Sequence, residues 1–328
     1  MSQNTVLEIK DLEVELYSEK GPLPVIDKVN LSIKEGEIVG IVGESGCGKS
    51  MLASAIMNLL NSPAKIAAGT IFYEGQDMTT LSSKEFQKIR GNEISMIFQE
   101  PMTSLNPLMK VGKQIEEAIK AHEKVTNAEL KERAIAAIRE VGIPQPEKVY
   151  HDIPSRLSGG MRQRIMIAMA LVCHPKLLIC DEPTTALDVT IQAQILRLIK
   201  KLRDETNTAV IFISHDMGVI YQMVDRVVVM YAGQFVESAP CKKLFEKPLH
   251  PYTIGLQNAI PQINKQQSSL QDIPGSVPML DNLPEGCLFA PRCPFAKAEC
   301  FTKKVPLKHY VDHDVRCLLV DEGGWHNE

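Results

Sequence analysis

The stretch GESGCGKS, residues 43–50, constrains the fold of this 328-residue chain more than any other feature. It matches the pattern G-x-x-x-x-G-K-S/T, in which glycines let backbone N–H groups turn toward phosphates at the start of a helix. An alternating stretch, VNLSIKEGEIVGIVG, precedes it, and a helically spaced one, KSMLASAIMNLL, follows it. A chance glycine-rich turn would not need these neighbours. We therefore predict a strand, a phosphate-binding loop and a helix that together bind a nucleotide.

Residues of this loop have different expected roles. Lys49 would reach the β- and γ-phosphates, and the Ser50 hydroxyl would bind Mg²⁺. Cys47 is expected to be a small loop residue and not a redox site. The residues predicted to bind the nucleotide here are Gly43, Glu44, Ser45, Gly46, Cys47, Gly48, Lys49, Ser50 and Met51.

A second motif is the acidic pair in LLICDEP. The apolar run predicts a buried parallel strand, and open α/β sheets bind ligands at the carboxyl ends of such strands. In a nucleotide site Asp181 would hold Mg²⁺ through water, and Glu182 would polarise the attacking water. An acidic pair alone more often begins a solvated loop, so this interpretation depends on the phosphate loop.

Composition excludes several classes of function. The net charge is −4, so the chain lacks the basic balance of a nucleic-acid-binding protein, and no nucleic-acid partner is expected. No apolar run approaches the roughly 20 residues of a membrane-spanning helix. The first residues carry no secretion signal. We therefore expect a cytosolic protein with reduced thiols.

The motif SRLSGGMRQR, residues 155–164, resembles the signature of the ATP-binding-cassette family. Ser158, Gly159 and Gly160 match that signature, and Met161 stands where glutamine is common. A hydroxyl and glycine N–H groups at a helix start form a natural anion site. An isolated Ser-Gly-Gly would be an ordinary loop, but its place between the other motifs indicates this family.

Four further residues take their roles from this resemblance. Gln99 in MIFQEP matches the glutamine that bridges Mg²⁺, water and the transport partner. Asp188 ends TTALD, which matches the loop that crosses the dimer interface, and His215 in FISHD matches the histidine that contacts the γ-phosphate. Tyr17 is the candidate for stacking on adenine, with an ordinary strand aromatic as the alternative.

The resemblance implies an α/β fold of the P-loop, ATP-binding-cassette type with an antiparallel β subdomain and a helical subdomain. We predict an ATPase domain over 1–256, with the helical subdomain at about 100–158, and a C-terminal extension over 257–328. Within the helical part, TNAE at Thr126–Glu129 has capping-box form, and Gly142 fits a helix end. Each ATP would lie between one subunit's phosphate loop and the other subunit's signature. The implied partner is a second cassette ATPase, either a related chain or a second copy of this one.

Two further stretches narrow the family. QEPMTSLNP and PLHPYTIGL resemble segments of the ATP-binding subunits of oligopeptide, dipeptide and nickel importers. This implies an ATPase on the cytoplasmic face of the membrane, with two transmembrane permease subunits and, indirectly, an extracytoplasmic substrate-binding protein. A nickel importer ATPase is one alternative. Another is a non-transport cassette ATPase acting on nucleic acid or ribosomes, although this chain has one cassette and no long coiled-coil pattern.

Half of the eight cysteines lie close together, at Cys287, Cys293, Cys300 and Cys317. In a reducing compartment such a group favours a metal site over disulfides. Structural zinc prefers C-x2-4-C pairs, which are absent here, so the wider spacing favours a 4Fe-4S cluster, with zinc or unliganded thiols as alternatives. The stretch also resembles the C-terminal extension of the importer family, some members of which carry such a cluster. Arg292 is a candidate donor to cluster sulfur.

Overall fold

The computed structural model describes residues 4–19, 21–99, 104–184, 188–259 and 273–322. These residues divide into two compact units. Unit 1 comprises, of the described residues, 4–6, 33–37 and those between 77 and 211. Unit 2 comprises those between 7 and 32, 38 and 76, and 212 and 322.

The described residues contain twelve strands. These are β1 (Thr5–Ser18), β2 (Gly21–Lys34), β3 (Ile38–Val42), β4 (Ala64–Tyr73), β5 (Gln76–Asp77), β6 (Ile94–Ile97), β7 (Leu177–Asp181), β8 (Ala209–Ile213), β9 (Arg226–Tyr231), β10 (Gln234–Pro240), β11 (Lys308–Tyr310) and β12 (His313–Val315).

The same residues contain eleven α-helices. These are α1 (Lys49–Ile56), α2 (Ser83–Ile89), α3 (Val111–Lys120), α4 (Asn127–Glu140), α5 (Pro146–Val149), α6 (Gly159–Leu171), α7 (Val189–Thr206), α8 (Met217–Met223), α9 (Cys241–Glu246), α10 (Pro251–Asn258) and α11 (Ala298–Thr302). Within the described part of the chain, no helix is long and apolar enough to cross a membrane.

Two sheets build unit 2. In the first, which lies almost entirely in this unit, the strand order is β2-β1-β4-β5, and β1 runs antiparallel to β4. In the second, β11, β12, β10, β9 and β3 are successive neighbours, and β3 runs parallel to β9. All five residues of β3 are buried, which explains its unbroken apolar sequence. The strand ends at Val42, so its carboxyl end delivers the phosphate loop.

Helices α2 to α7 and the parallel pair β6 and β7 build unit 1. Every residue of β7 is buried, and the strand ends at Asp181. Strand β8 is also fully buried. The expected buried strand at LLICD is therefore confirmed, and the apolar run AVIFI forms another.

The predicted cap at Thr126 is confirmed, because its side chain accepts a hydrogen bond from the Glu129 backbone N–H. Gly142 follows the end of α4 with a φ of 72°, a left-handed conformation that favours glycine at helix ends. Residues 111–140 form two helices, α3 and α4, and Thr126 lies at the start of the second.

The C-terminal residues of unit 2 have a small apolar core. Its buried members are Leu249, Ala290, Cys300, Val315, Cys317 and Leu319. The predicted boundary between residues 256 and 257 remains a prediction.

Candidate nucleotide-binding site

Glycine is required at two positions of the phosphate loop. Gly48 caps α1 with a φ of 108°, a conformation that costs other residues steric strain. At Gly43 a Cβ atom would collide with the Met230 backbone carbonyl. The strand-loop-helix arrangement predicted from the sequence therefore forms, with the loop backbone packed closely against its own unit.

The Lys49 side chain bonds to the backbone of the phosphate loop. It is buried, with 6% of the residue exposed, and its ammonium donates 2.8 Å hydrogen bonds to the Gly43 and Glu44 carbonyl oxygens. The ammonium also lies 3.6 Å from the Cys47 sulfur. Burial raises the pKa of the Cys47 thiol despite this neighbouring charge. The loop therefore holds one fixed cation and a neutral thiol, while Ser50 at its end is exposed.

Glu44 is fastened by two residues whose role the sequence did not indicate. Its backbone N–H donates to the Tyr252 hydroxyl at 2.8 Å. Its two carboxylate oxygens accept from the Arg292 guanidinium at 2.7 and 2.9 Å. Tyr252 belongs to the HPYT stretch, which had value only as a family marker. Our expectation that Arg292 donates to cluster sulfur is wrong, because its N–H groups point to Glu44, to Tyr231 and to three backbone carbonyls.

In unit 1 the structure brings two predicted catalytic residues together. The Gln99 side-chain amide donates to a Glu182 carboxylate oxygen at 3.1 Å. Glu182 has a φ of 47°, and such left-handed backbone at a non-glycine residue is often found at functional sites. Asp181, one residue earlier, is buried with 4% exposed. The buried amide of Gln163 donates to the Pro183 carbonyl at 2.7 Å, and it therefore connects helix α6 to this acidic turn.

The signature motif forms the start of α6. The Ser158 hydroxyl caps the helix by accepting from the Met161 backbone N–H at 3.3 Å. A Cβ atom on Gly159 would meet no described atom within 4 Å. Glycine is therefore not needed there for packing in the isolated chain, and the exposed helix start is open to a ligand.

Three other predicted residues lie at element ends. Asp188 caps α7 by accepting from the Ile191 backbone N–H at 2.9 Å. His215 is exposed just after β8. Tyr17, near the end of β1, is 48% exposed, and the Lys65 ammonium lies 5.3 Å from the centre of its ring. The TTALD stretch before Asp188 falls partly outside the described residues.

All four predicted ligand thiols line one cavity in unit 2, with His250 and Phe289 among its other walls. Burial raises the pKa of Cys293 to about 11 and that of Cys317 to about 12, so these thiols are protonated near neutral pH. The cavity volume is about 10 Å³, and among the described residues no three His, Cys, Asp or Glu side chains are placed to hold a metal ion. The four soft donors suit a metal cluster chemically, but the cavity that they line would have to enlarge to hold one.

Comparisons with known proteins agree with these motifs. The family model described as ABC transporter matches residues 26–185, and the model described as oligopeptide/dipeptide transporter, C-terminal region, matches residues 236–300. The oligopeptide transport ATP-binding protein AppD of Bacillus subtilis is 50% identical over 323 residues, or 98% of each chain. The dipeptide transport ATP-binding protein DppD of Haemophilus influenzae is 44% identical over 312 residues, or 95% of this chain and 94% of that protein.

Solved structures agree on the fold. A dimeric post-hydrolysis structure of the ATP-binding cassette MJ0796, bound to ADP and Pi, has a TM-score of 0.66 at 28% identity and covers 72% of this chain and 98% of that one. The predicted α/β cassette fold and family resemblance are both confirmed. The chain belongs to the ATP-binding-cassette family, among the ATP-hydrolysing subunits of oligopeptide and dipeptide transporters.

Proposed function

We propose that this ATPase drives the import of dipeptides or oligopeptides. The observation that carries the ATP-binding part of the proposal is the phosphate loop, in which Lys49 is fixed by two loop carbonyls at the start of α1. The peptide cargo follows from relatives named as oligopeptide and dipeptide transport proteins. Nickel is the alternative cargo.

The proposed reaction is in-line attack of water on the γ-phosphate, which breaks its bond to the bridging oxygen of the β-phosphate and releases ADP and phosphate. Lys49 would neutralise phosphate charge. Ser50, Gln99 and, through water, Asp181 are the residues that would hold Mg²⁺, which when bound would neutralise charge on the β- and γ-phosphates. Glu182 orients the water and accepts its proton, and the hydrogen bond from Gln99 keeps that carboxylate in place. His215 contacts the γ-phosphate, and Tyr17 stacks on adenine.

We propose that the working enzyme is a dimer of cassettes. The start of α6, with Ser158, Gly159 and Gly160, would bind the γ-phosphate of the nucleotide on the partner's phosphate loop. Asp188 would approach the same interface. The open space around Gly159 supports this proposal, as does the dimeric state of the related MJ0796. The partner is a related chain or a second copy.

The dimer would lie on the cytoplasmic face of the membrane, bound peripherally to two transmembrane permease subunits. An extracytoplasmic substrate-binding protein would deliver the peptide to those permeases. Support comes from relatives named as peptide transport ATP-binding proteins. Closure of the dimer on ATP and reopening after hydrolysis would drive the permeases.

We also propose that Cys287, Cys293, Cys300 and Cys317 bind a 4Fe-4S cluster, with zinc as the alternative. Support comes from the spacing of the four cysteines and from their convergence on one cavity, which would have to enlarge to hold a cluster. When bound, such a cluster would supply folding free energy to a part of the chain with only a small apolar core.

Uptake in the native host tests the cargo. Cells lacking the gene should lose uptake of labelled dipeptide and tripeptide while keeping uptake of labelled nickel. The wild-type gene should restore peptide uptake, and a Glu182→Gln gene made at the same level should not. Loss of nickel uptake alone would contradict the peptide proposal, and unchanged uptake of all three would contradict an importer function.

A further inference from the structure

Glu44 is the residue through which the C-terminal part of unit 2 reaches the phosphate loop. Its carbonyl oxygen accepts from Lys49, its N–H donates to Tyr252, and its carboxylate accepts from Arg292. Every polar group of this loop residue is therefore held, two of them by residues more than 200 positions away.

Arg292 is built for this contact. Its side chain is 5% exposed, and the paired bonds to both oxygens of Glu44 have the geometry that only a guanidinium provides. The remaining N–H groups donate to the Tyr231 hydroxyl and to the carbonyls of Ile273, Pro274 and Gly275. With every donor satisfied, the side chain has one well-defined position.

Charge explains why the contact matters for a nucleotide. A carboxylate in a phosphate loop repels the anionic phosphates and competes for the Lys49 ammonium. The partly buried pair with Arg292 neutralises this carboxylate, and solvent screens such a pair less than an exposed one. Arg292 also directly precedes Cys293, the second of the four thiols. A displacement of Arg292 with that segment would therefore break its hydrogen bonds to the Glu44 carboxylate.

We propose that Arg292 is a positioning residue for ATP binding, which fixes and neutralises Glu44 and thereby couples the cysteine-bearing segment to the phosphate loop. The proposal rests on the proposed nucleotide-binding role of that loop. It assigns the C-terminal segment a part in setting ATP affinity, separate from the chemical step.

The test uses the full chain and compares Arg292→Gln with Arg316→Gln. Arg316 is a matched control, because it is also partly buried in the same segment and donates to the carbonyls of Phe235 and Val305, not to the loop. Affinity for a fluorescent ATP analogue and the kcat and KM for ATP are measured for each, with circular dichroism as a check of folding.

Arg292→Gln should weaken ATP binding about tenfold, a loss of about 1.4 kcal/mol, and raise KM while kcat stays within about threefold. Arg292→Lys, which keeps the charge but not the paired geometry, should lie between this variant and wild type. The double variant Arg292→Gln, Glu44→Gln should recover most of the lost affinity, because no unpaired carboxylate remains. Arg316→Gln should bind ATP as wild type does.

Wild-type affinity in a folded Arg292→Gln protein would overturn the proposal. Equal losses in Arg292→Gln and Arg316→Gln would also overturn it, because general loosening of the segment would then be the cause. If Arg292→Gln does not fold, wild-type affinity in Arg292→Lys together with no gain from Glu44→Gln in that background would count against it. Failure of the wild-type chain to bind ATP would instead contradict the proposed function of the loop.

Discussion

The phosphate loop and the cysteine segment, residues 287–317, both carry distinctive sequence patterns, but those patterns specify structure to different degrees. In the loop each requirement is local. Gly48 provides a left-handed cap, Lys49 binds two loop carbonyls, and the structure contains what the pattern predicts. In the cysteine segment the spacing brings four thiols to one cavity without placing them as metal ligands. A sequence pattern therefore predicts structure best where residues of the chain itself, and not a bound group, make all the contacts that the pattern requires.

The largest expected effect is on the rate of ATP hydrolysis, and it comes from Glu182, which lies outside both the phosphate loop and the cysteine segment. Glu182→Gln should lower ATP turnover about 10²- to 10⁴-fold, the usual contribution of a general base. ATP affinity should stay near wild type, because the phosphate loop is unchanged. Steady-state hydrolysis and nucleotide titration measure the two quantities, with the exposed Glu205→Gln as control. Hydrolysis at the wild-type rate would rule out Glu182 as the base.

The signature motif should affect assembly and not the loop. Ser158→Arg places a long side chain at the exposed start of α6, and the resulting clash should weaken ATP-driven dimerisation about 100-fold. Binding of ATP to a single subunit should be unchanged. Light scattering of Ser158→Arg in the Glu182→Gln background measures this, with the nearby exposed Ser155→Arg as control. A normal closed dimer would contradict the proposed partner site.

Removing the loop cation tests the local character of the phosphate loop. Lys49→Ala deletes charge-assisted hydrogen bonds to phosphate and should weaken ATP binding about 30-fold or more. The cysteine segment should keep its resistance to protease, because the Lys49 ammonium donates its hydrogen bonds to carbonyls of the loop itself. The exposed Lys84→Ala serves as control. If protease cuts the segment faster in Lys49→Ala, the two regions fold together and the comparison fails.

The smallest effect on turnover is expected from the cysteine segment itself. Cys300→Ser replaces a buried thiol. The backbone carbonyl of the same residue accepts a hydrogen bond from the Cys287 N–H at 2.7 Å. The segment should become more sensitive to protease while kcat stays within about twofold, because the chemical step does not involve it. KM for ATP should rise no further than in Arg292→Gln. Cys173→Ser, outside the segment, is the control, and loss of ATP binding in Cys300→Ser would show tighter coupling than proposed.

The structure also shows which features could be predicted from the sequence and which could not. The buried strands, the Thr126 cap and the phosphate loop follow from periodicity and local conformation, and the structure contains them. The contact of Gln99 with Glu182 fits the roles that family resemblance gave them. The Arg292–Glu44 pair spans 248 positions, and no local pattern encodes such a separation. The role of Tyr252 could not be predicted either, because its hydroxyl accepts a hydrogen bond from a loop N–H in a distant part of the chain.

We propose that the phosphate loop folds and binds ATP from the polypeptide alone, whereas the cysteine segment would need a bound metal cluster to reach its full order. One anaerobically purified sample tests it, with absorbance, iron, sulfide, zinc and ATP affinity measured together before and after the metal is removed. We expect a broad absorbance band near 400 nm and about four irons and four sulfides per chain. ATP should still bind after the metal is removed, with weaker affinity because Arg292 would lose its position. A chain without iron or zinc whose segment resists protease fully would contradict the claim.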